Sequence, residues 1–331
     1  MSAPANPLGA RGAARMLSAG GLLDLMRRRT ILVLILLLVA FVAGIEAARP
    51  GTVNATWISN ALLFAAPLGI LAAGQTLVML TGGIDLSVAA IATGAAYILA
   101  TSASLGGAAA VALGLSVGVA VGFVNGVGIA VLGVQPLVMT LGTGLMTGGV
   151  LTVYSQQMLA SEPRVPEFIQ ALGAGKLLGI VPFDLFLWAP IAVLLIFGLA
   201  RSGFGRLLYA VGDNREACKL AGVRVWQVLL LDYILCGLFA AIAGLVLVGG
   251  TNAADLSLAD VYLLPSVAAV IIGGTSIFGG RGGYAGSIVG ALILTVLTSI
   301  LTLLDAPEPI KQILYGAIIL LLAAAYARLT D

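Results

Sequence analysis

Ionisable side chains are scarce in this sequence, and their placement says more than their number. Of 331 residues, 16 are Lys or Arg, 14 are Asp or Glu, and none is His. The lack of His removes the commonest proton relay and the commonest transition-metal ligand. Cys218 and Cys236 form no Cys-x-x-Cys pair, so no zinc or disulfide framework is indicated, and both read as small packing residues. The string closest to a phosphate-binding loop is Gly173-Ala174-Gly175-Lys176-Leu177. It lacks both the spacing and the hydroxyl of Gly-x-x-x-x-Gly-Lys-Ser/Thr, so the chain does not bind ATP in that way. Asp85 and Asp232 are the acids nearest to bilayer depth, while Glu46 falls at the end of an apolar run, the place of an interface anchor. Two scattered carboxylates are thin equipment for a proton- or sodium-driven carrier, which places ionisable groups along its route. A hydrolase constellation is absent as well.

Three strings stand out. In Thr81-Gly82-Gly83-Ile84-Asp85-Leu86-Ser87, the two glycines allow a tight reversal. Asp85 or Ser87 then suits the start of a following helix, where free N–H groups need an acceptor. The string Gly273-Gly274-Thr275-Ser276-Ile277-Phe278-Gly279-Gly280-Arg281-Gly282-Gly283 closes an apolar run. So much glycine there predicts broken backbone beside a protein-lined cavity, the setting in which irregular backbone is tolerated at membrane depth. The third, Gly212-Asp213-Asn214-Arg215-Glu216-Ala217-Cys218-Lys219-Leu220-Ala221-Gly222-Val223, is too polar to span. It predicts a short surface helix with glycine at its C-cap.

The elements that position these strings follow from composition. The chain is 60% hydrophobic and 9% charged, against about 25% charged in soluble domains, with a mean hydropathy of +1.14. This excludes both a water-soluble globular protein and intrinsic disorder. Long unbroken apolar runs argue against a membrane β-barrel. The expected fold is an all-α polytopic membrane protein of about ten transmembrane helices, some broken by glycine. The runs are 30–48, 58–80, 85–101, 107–130, 136–155, 183–200, 227–249, 262–279, 284–304 and 309–328. An even number places both termini on one side, and an N-in, C-in arrangement puts 12 of the 16 basic residues inside. The expected organisation is a cytoplasmic tail, 1–29, and one membrane domain, 30–328, with a cytoplasmic loop 201–226 and a periplasmic loop 156–182. The first run is long enough to be a retained helix and not a signal peptide. Rows of glycine at every fourth position, Gly114 to Gly126, Gly282 to Gly290, and Gly144 with Gly148, predict faces where helices approach closely.

The three strings, in this order and sidedness, resemble the permease subunit of bacterial ribose-type ABC sugar importers, from about residue 55 to 328. The cytoplasmic string is similar to the EAA-type loop of ABC importers, with Glu216-Ala217 followed by Gly222. Cys218 departs from that pattern by standing where a second Ala is usual. Asp232 stands where a small hydroxyl is common, and Tyr262 to Ser266 where many relatives carry acids. The resemblance implies a coupling helix, with Asn214, Glu216, Ala217 and Gly222 meeting an ATPase subunit. It implies a second permease copy, identical or paralogous, and a periplasmic substrate-binding protein that docks at the outer face, where Glu162, Arg164 and Glu167 lie. It implies no cofactor in this chain, with ATP and Mg on the partner ATPase; no nucleic-acid partner and no metal site is expected. The location is the bacterial inner membrane.

On that reading the cargo is a monosaccharide, a pentose or similar. A translocation route must release as readily as it binds, so neutral hydrogen-bonding residues are expected along it. Gln75, Thr76, Asn125, Thr140 and Thr143 are the candidates, although the same residues can equally tie helices together. Gly82, Gly83, Asp85, Ser87, Gly273, Gly274, Thr275 and Ser276 are expected to form the gating or structural motifs. The competing readings are an ABC permease for a branched-chain amino acid or other small polar solute, and a stand-alone secondary transporter, which would not need the Glu216 loop.

Overall fold

The computed structural model describes residues 30–157 and 164–330; the expected tail 1–29 and part of the loop 156–182, with Glu162, lie outside them. In hydrocarbon every backbone polar group must bond internally, and the described chain is accordingly helical almost throughout. In order it forms α1 (Thr30–Ala48), α2 (Ala55–Leu80), α3 (Val88–Thr101), α4 (Gly107–Ala130), α5 (Pro136–Gln157), α6 (Glu167–Ala174), α7 (Leu185–Arg201), α8 (Gly203–Asp213), α9 (Arg215–Leu220), α10 (Val225–Thr251), α11 (Leu263–Ile272), α12 (Tyr284–Leu303) and α13 (Glu308–Thr330). A small antiparallel hairpin, β1 (Lys176–Leu177) and β2 (Val181–Pro182), pairs Lys176 with Pro182.

Among the described residues six helices, α1, α2, α4, α5, α10 and α12, are long and apolar enough to cross a membrane. A seventh is added if α7 and α8, which meet at 69°, are one bent span. Two of the expected spans are corrected. Run 85–101 yields only the 14 residues of α3, and run 262–279 only the 10 of α11, against about 20 needed to cross. Helix α3 starts late because residues 84–86 are tied to other helices before it begins. Helix α11 stops where Gly274 takes φ +88. The N–H groups of Gly274 and Thr275 there bond back to the carbonyls of Ile271 and Val270 at 3.0 and 3.1 Å, a Schellman ending.

The bundle has an inside and a rim. In α2 and α10, 83% and 72% of the spanning window is buried, against 11%, 22% and 17% in α1, α4 and α5. Helix α10 is the hub, packed on α2, α3 and α4. The glycine row of α4 makes this possible. A Cβ at Gly118 would strike the Gly237 carbonyl, and one at Gly122 the Tyr233 carbonyl, so two backbones touch directly. Gly286 and Gly290 seat α12 on the carbonyls of Gly273 and Ala269 in the same way. The shorter row is not continuous: Gly144 faces Ser87, but Gly148 has open space around it.

One end of the bundle gathers residues 80–82, 212–215 and 279–282. The other gathers the Glu46 turn, where the carboxylate accepts the N–H groups of Gly51 and Val53 at 2.7 and 2.9 Å. It also holds Lys176, which donates to Asn60 at 2.7 Å, and Arg164, whose N–H bonds Ala100 O at 3.0 Å.

Candidate functional site

Each of the three sequence strings ends a helix in the same way. Gly82 follows α2 with φ +76, Gly222 follows α9 with φ +80, and Gly274 follows α11 with φ +88. Side chains other than glycine rarely adopt this left-handed geometry. In each case the glycine N–H and the next one return to the last turn: Gly82 to Met79 O and Gly83 to Val78 O, Gly222 to Lys219 O and Val223 to Cys218 O. The helices therefore stop sharply, and the chain leaves each at a fixed angle.

Beyond Gly83, segment 84–87 is held by side chains from three helices. Gln75 on α2 donates to Asp85 O at 2.5 Å and accepts the Asp85 N–H at 3.3 Å. Thr140 on α5 accepts the Leu86 N–H at 3.0 Å. Asp85 Oδ1 accepts the Ser87 N–H and hydroxyl at 2.8 and 2.5 Å. Ser87 Oγ accepts from Asn125 of α4 at 2.9 Å, and Asn125 Oδ1 accepts the Thr143 hydroxyl of α5 at 2.6 Å. Asp85, Ser87, Gln75, Asn125 and Thr140 are fully buried. The expected capping role divides accordingly. Asp85 takes the N–H at the start of α3, while Ser87, at the N-cap, uses its side chain on Asp85 and Asn125 and caps nothing.

The five candidate pathway residues are thus brought together in part. Gln75, Asn125, Thr140 and Thr143 converge on one turn. Thr76 stands apart, joining α2 to α12 through Ser287 at 2.7 Å. In this conformation their polar groups are satisfied by the protein.

The glycine-rich loop 273–283 folds over the end of α2. Gly280 N–H bonds Leu80 O at 2.9 Å, and Ser276 N–H bonds Arg281 O at 2.9 Å. Thr275 Oγ1 accepts the Gly283 N–H at 3.3 Å, and Ser276 Oγ accepts the Phe278 N–H at 3.1 Å. Gly279 lies against both Gly212 O and Gly82 N, where a Cβ would come within 2.8 and 2.9 Å. Gly212 in turn leaves no room for a Cβ beside Leu80 O and Gly280 N. The three strings therefore share one backbone-to-backbone junction. Beside it lies a cavity of about 330 Å³ lined by Gly273, Gly274, Gly282, Gly283, Tyr209 and Tyr284, among others.

From this junction α9 projects. Asn214 caps it, accepting the Ala217 N–H at 2.9 Å, and Glu216 pairs with Lys219 at 2.8 Å. Cys218 faces inward, whereas Ala217 and Gly222 are exposed. Leu220, a large apolar side chain on a polar helix, is 91% exposed. Leu220 escaped the sequence reading, as did the role of Arg215, whose guanidinium donates to Thr81 O at 2.7 Å. A lone Leu carries no signal in a chain this apolar, and a contact between positions 134 residues apart carries none either. Asp232, noted in the sequence as a departure, accepts the Thr81 hydroxyl at 2.9 Å. Among the described residues no group of three or more Cys, Asp or Glu is placed to hold a metal ion.

The family model described as branched-chain amino acid transport system / permease component matches residues 57–323. The chain is 33% identical over 301 residues to the ribose import permease of Escherichia coli K12, covering 90% of this chain and 92% of that one. It is 34% identical over 267 residues to the fructose import permease of Rhizobium meliloti, covering 78% and 74%. It is 36% identical over 267 residues to the galactofuranose transporter permease of E. coli K12, covering 77% and 75%. No solved structure matches it.

Proposed function

We infer the function from a fixed premise: the chain belongs to the family described as branched-chain amino acid transport system / permease component. It is the transmembrane subunit of an ABC importer for a sugar, as the ribose, fructose and galactofuranose permeases among its relatives support. It is a transport subunit and not an enzyme. We propose that its cargo is a monosaccharide, a pentose or similar, carried across the bacterial inner membrane by a helical bundle with both termini in the cytoplasm. A periplasmic binding protein delivers the sugar at the end that holds Arg164 and Glu167. A partner ATPase supplies ATP and Mg chemistry at the other end, and a second permease copy completes the route.

The observation that carries this reading is the position of α9. It is polar, capped at both ends, exposed at Glu216 and Leu220, and rooted in the junction of both interrupted helices. Energy enters as a difference in the partner's affinity for two conformations, so the permease needs no proton- or ion-carrying groups along its route. Motion of α9 is passed to the Gly82 and Gly274 turns. When the Asp85 turn opens, Gln75, Asn125, Thr140 and Thr143 become hydrogen-bonding partners for the sugar, and Thr76 joins them where α2 parts from Ser287 of α12.

The test is uptake of labelled D-ribose by proteoliposomes holding the permease with its copurified ATPase and binding protein. Uptake should require ATP inside and binding protein outside. Uptake by the permease alone, collapsing with an uncoupler, would make it a secondary carrier. A branched-chain amino acid as cargo is favoured by the family description; the ligand eluting with the binding protein separates the two.

A further inference from the structure

Thr81 is the last residue before the Gly82–Gly83 turn, and it is buried. Its carbonyl lies at the negative end of the α2 dipole, where a cation is stabilised. The cation there is Arg215, the first residue of α9, donating at 2.7 Å. The hydroxyl of Thr81 lies 2.9 Å from Asp232 Oδ2 on α10 and 2.9 Å from Val78 O of its own last turn. One threonine thus joins three elements: the α9 helix, the α2 terminus and the hub helix α10.

Asp232 is wholly buried, and its other oxygen has no hydrogen-bond partner among the described residues. Its one contact with the neighbouring helix end is therefore the one to Thr81. Arg215 sits on the helix that projects from the bundle, and Asp232 sits at its centre. Any displacement of α9 that withdraws the guanidinium therefore leaves the buried Thr81 carbonyl without that donor and loosens the residue that Asp232 holds. That gives the turn two distinct arrangements, docked and undocked, which is what coupling between distant sites requires.

We propose that Arg215 is a positioning residue for transport, a strap through Thr81 and Asp232 that converts movement of α9 into movement of the Gly82–Gly83 turn. The proposal rests on the reading of α9 as the coupling helix. It predicts that Arg215→Ala keeps the ATPase bound and its basal hydrolysis unchanged, but lowers D-ribose taken up per ATP hydrolysed by about tenfold, within the usual range of coupling between sites. Arg215→Lys restores part of the ratio, because an ammonium can still donate to the carbonyl. Asp232→Ser shortens the side chain that meets the Thr81 hydroxyl, so combined with Arg215→Ala it adds little to the loss. The double-mutant cycle reads that dependence directly, and losses that simply add would show that the two residues do not act through one strap.

The experiment is uptake and hydrolysis measured together on these four variants and the wild type in proteoliposomes. Amide hydrogen exchange on the purified permease alone accompanies it. Faster exchange at residues 81–87 in Arg215→Ala, with 140–147 unchanged, is expected. A wild-type ratio of uptake to hydrolysis in Arg215→Ala overturns the proposal. If wild-type protein brings no ATPase or moves no ribose, the coupling or substrate reading fails instead. The exchange result then decides the strap by itself, and unchanged exchange at 81–87 overturns it.

Discussion

The two interrupted regions of the bundle are held by different means. Segment 84–87 is fastened by side chains: Gln75, Thr140 and Asn125 reach in from neighbouring helices, Asn125 onto Ser87. Loop 273–283 is fastened by backbone, through Gly280 to Leu80 and through glycines that admit no Cβ against Gly212, Gly82 and Gly286. A side-chain fastening consists of several bonds, each of modest net worth, about 1 kcal/mol. It can open one bond at a time. A backbone fastening has no flexible part to give way, so it moves as a unit. The difference assigns the adaptable contacts to the Asp85 turn and the rigid transmission to the glycine junction.

The largest effect expected from this contrast is at the junction. Gly212→Val places a branched side chain against Leu80 O and Gly280 N. Overpacking usually costs about 1–3 kcal/mol, and with backbone on both sides the cost should reach or exceed the top of that range. Little or no folded protein should be recovered from the membrane. Wild-type yield and melting temperature would show that the junction is not rigid.

Next comes Asn125→Ala, which leaves Ser87 and Thr143 short of a partner and should cost about 1–3 kcal/mol. A detergent thermal-shift assay measures it. Thr143→Val removes a single bond of a kind that averages about 0.6 kcal/mol in membrane proteins, and should shift the melting temperature least of the three. If Thr143→Val destabilises more than Asn125→Ala, the network is not centred on Asn125.

Glu216→Lys and Gly148→Ala should each leave stability within about 0.5 kcal/mol, as surface changes do. They should part in function. Glu216→Lys, on exposed α9, should abolish ATP-driven uptake with the protein still in the membrane. Gly148→Ala, in open space, should change neither. Normal uptake by Glu216→Lys with the ATPase still stimulated would remove α9 from the coupling route.

Much of this was legible in the sequence because its signals are local. Apolar runs gave the helices, and Gly82, Gly222 and Gly274 marked where three of them stop. The family resemblance rested on strings that each fit within a few turns. What the sequence hid was span length and mating. Run 262–279 reads as continuous because Thr275 to Phe278 are tolerated in an apolar stretch, yet the glycines before them end α11 at Ile272. The polar residues Gln75, Asn125, Thr140 and Thr143 were recognised as important, but their convergence on one buried turn depends on α2, α4 and α5 meeting there. Arg215 and Asp232 are joined only through Thr81, so neither position announces the other.

The most direct test of the coupling reading places a photo-crosslinking side chain at position 220, where Leu220 is exposed on α9. Irradiated native membranes should yield one adduct, and mass spectrometry should identify its second component as a protein carrying phosphate-binding-loop motifs. Capture of no such ATPase, with the permease folded and present in the membrane, would contradict the account.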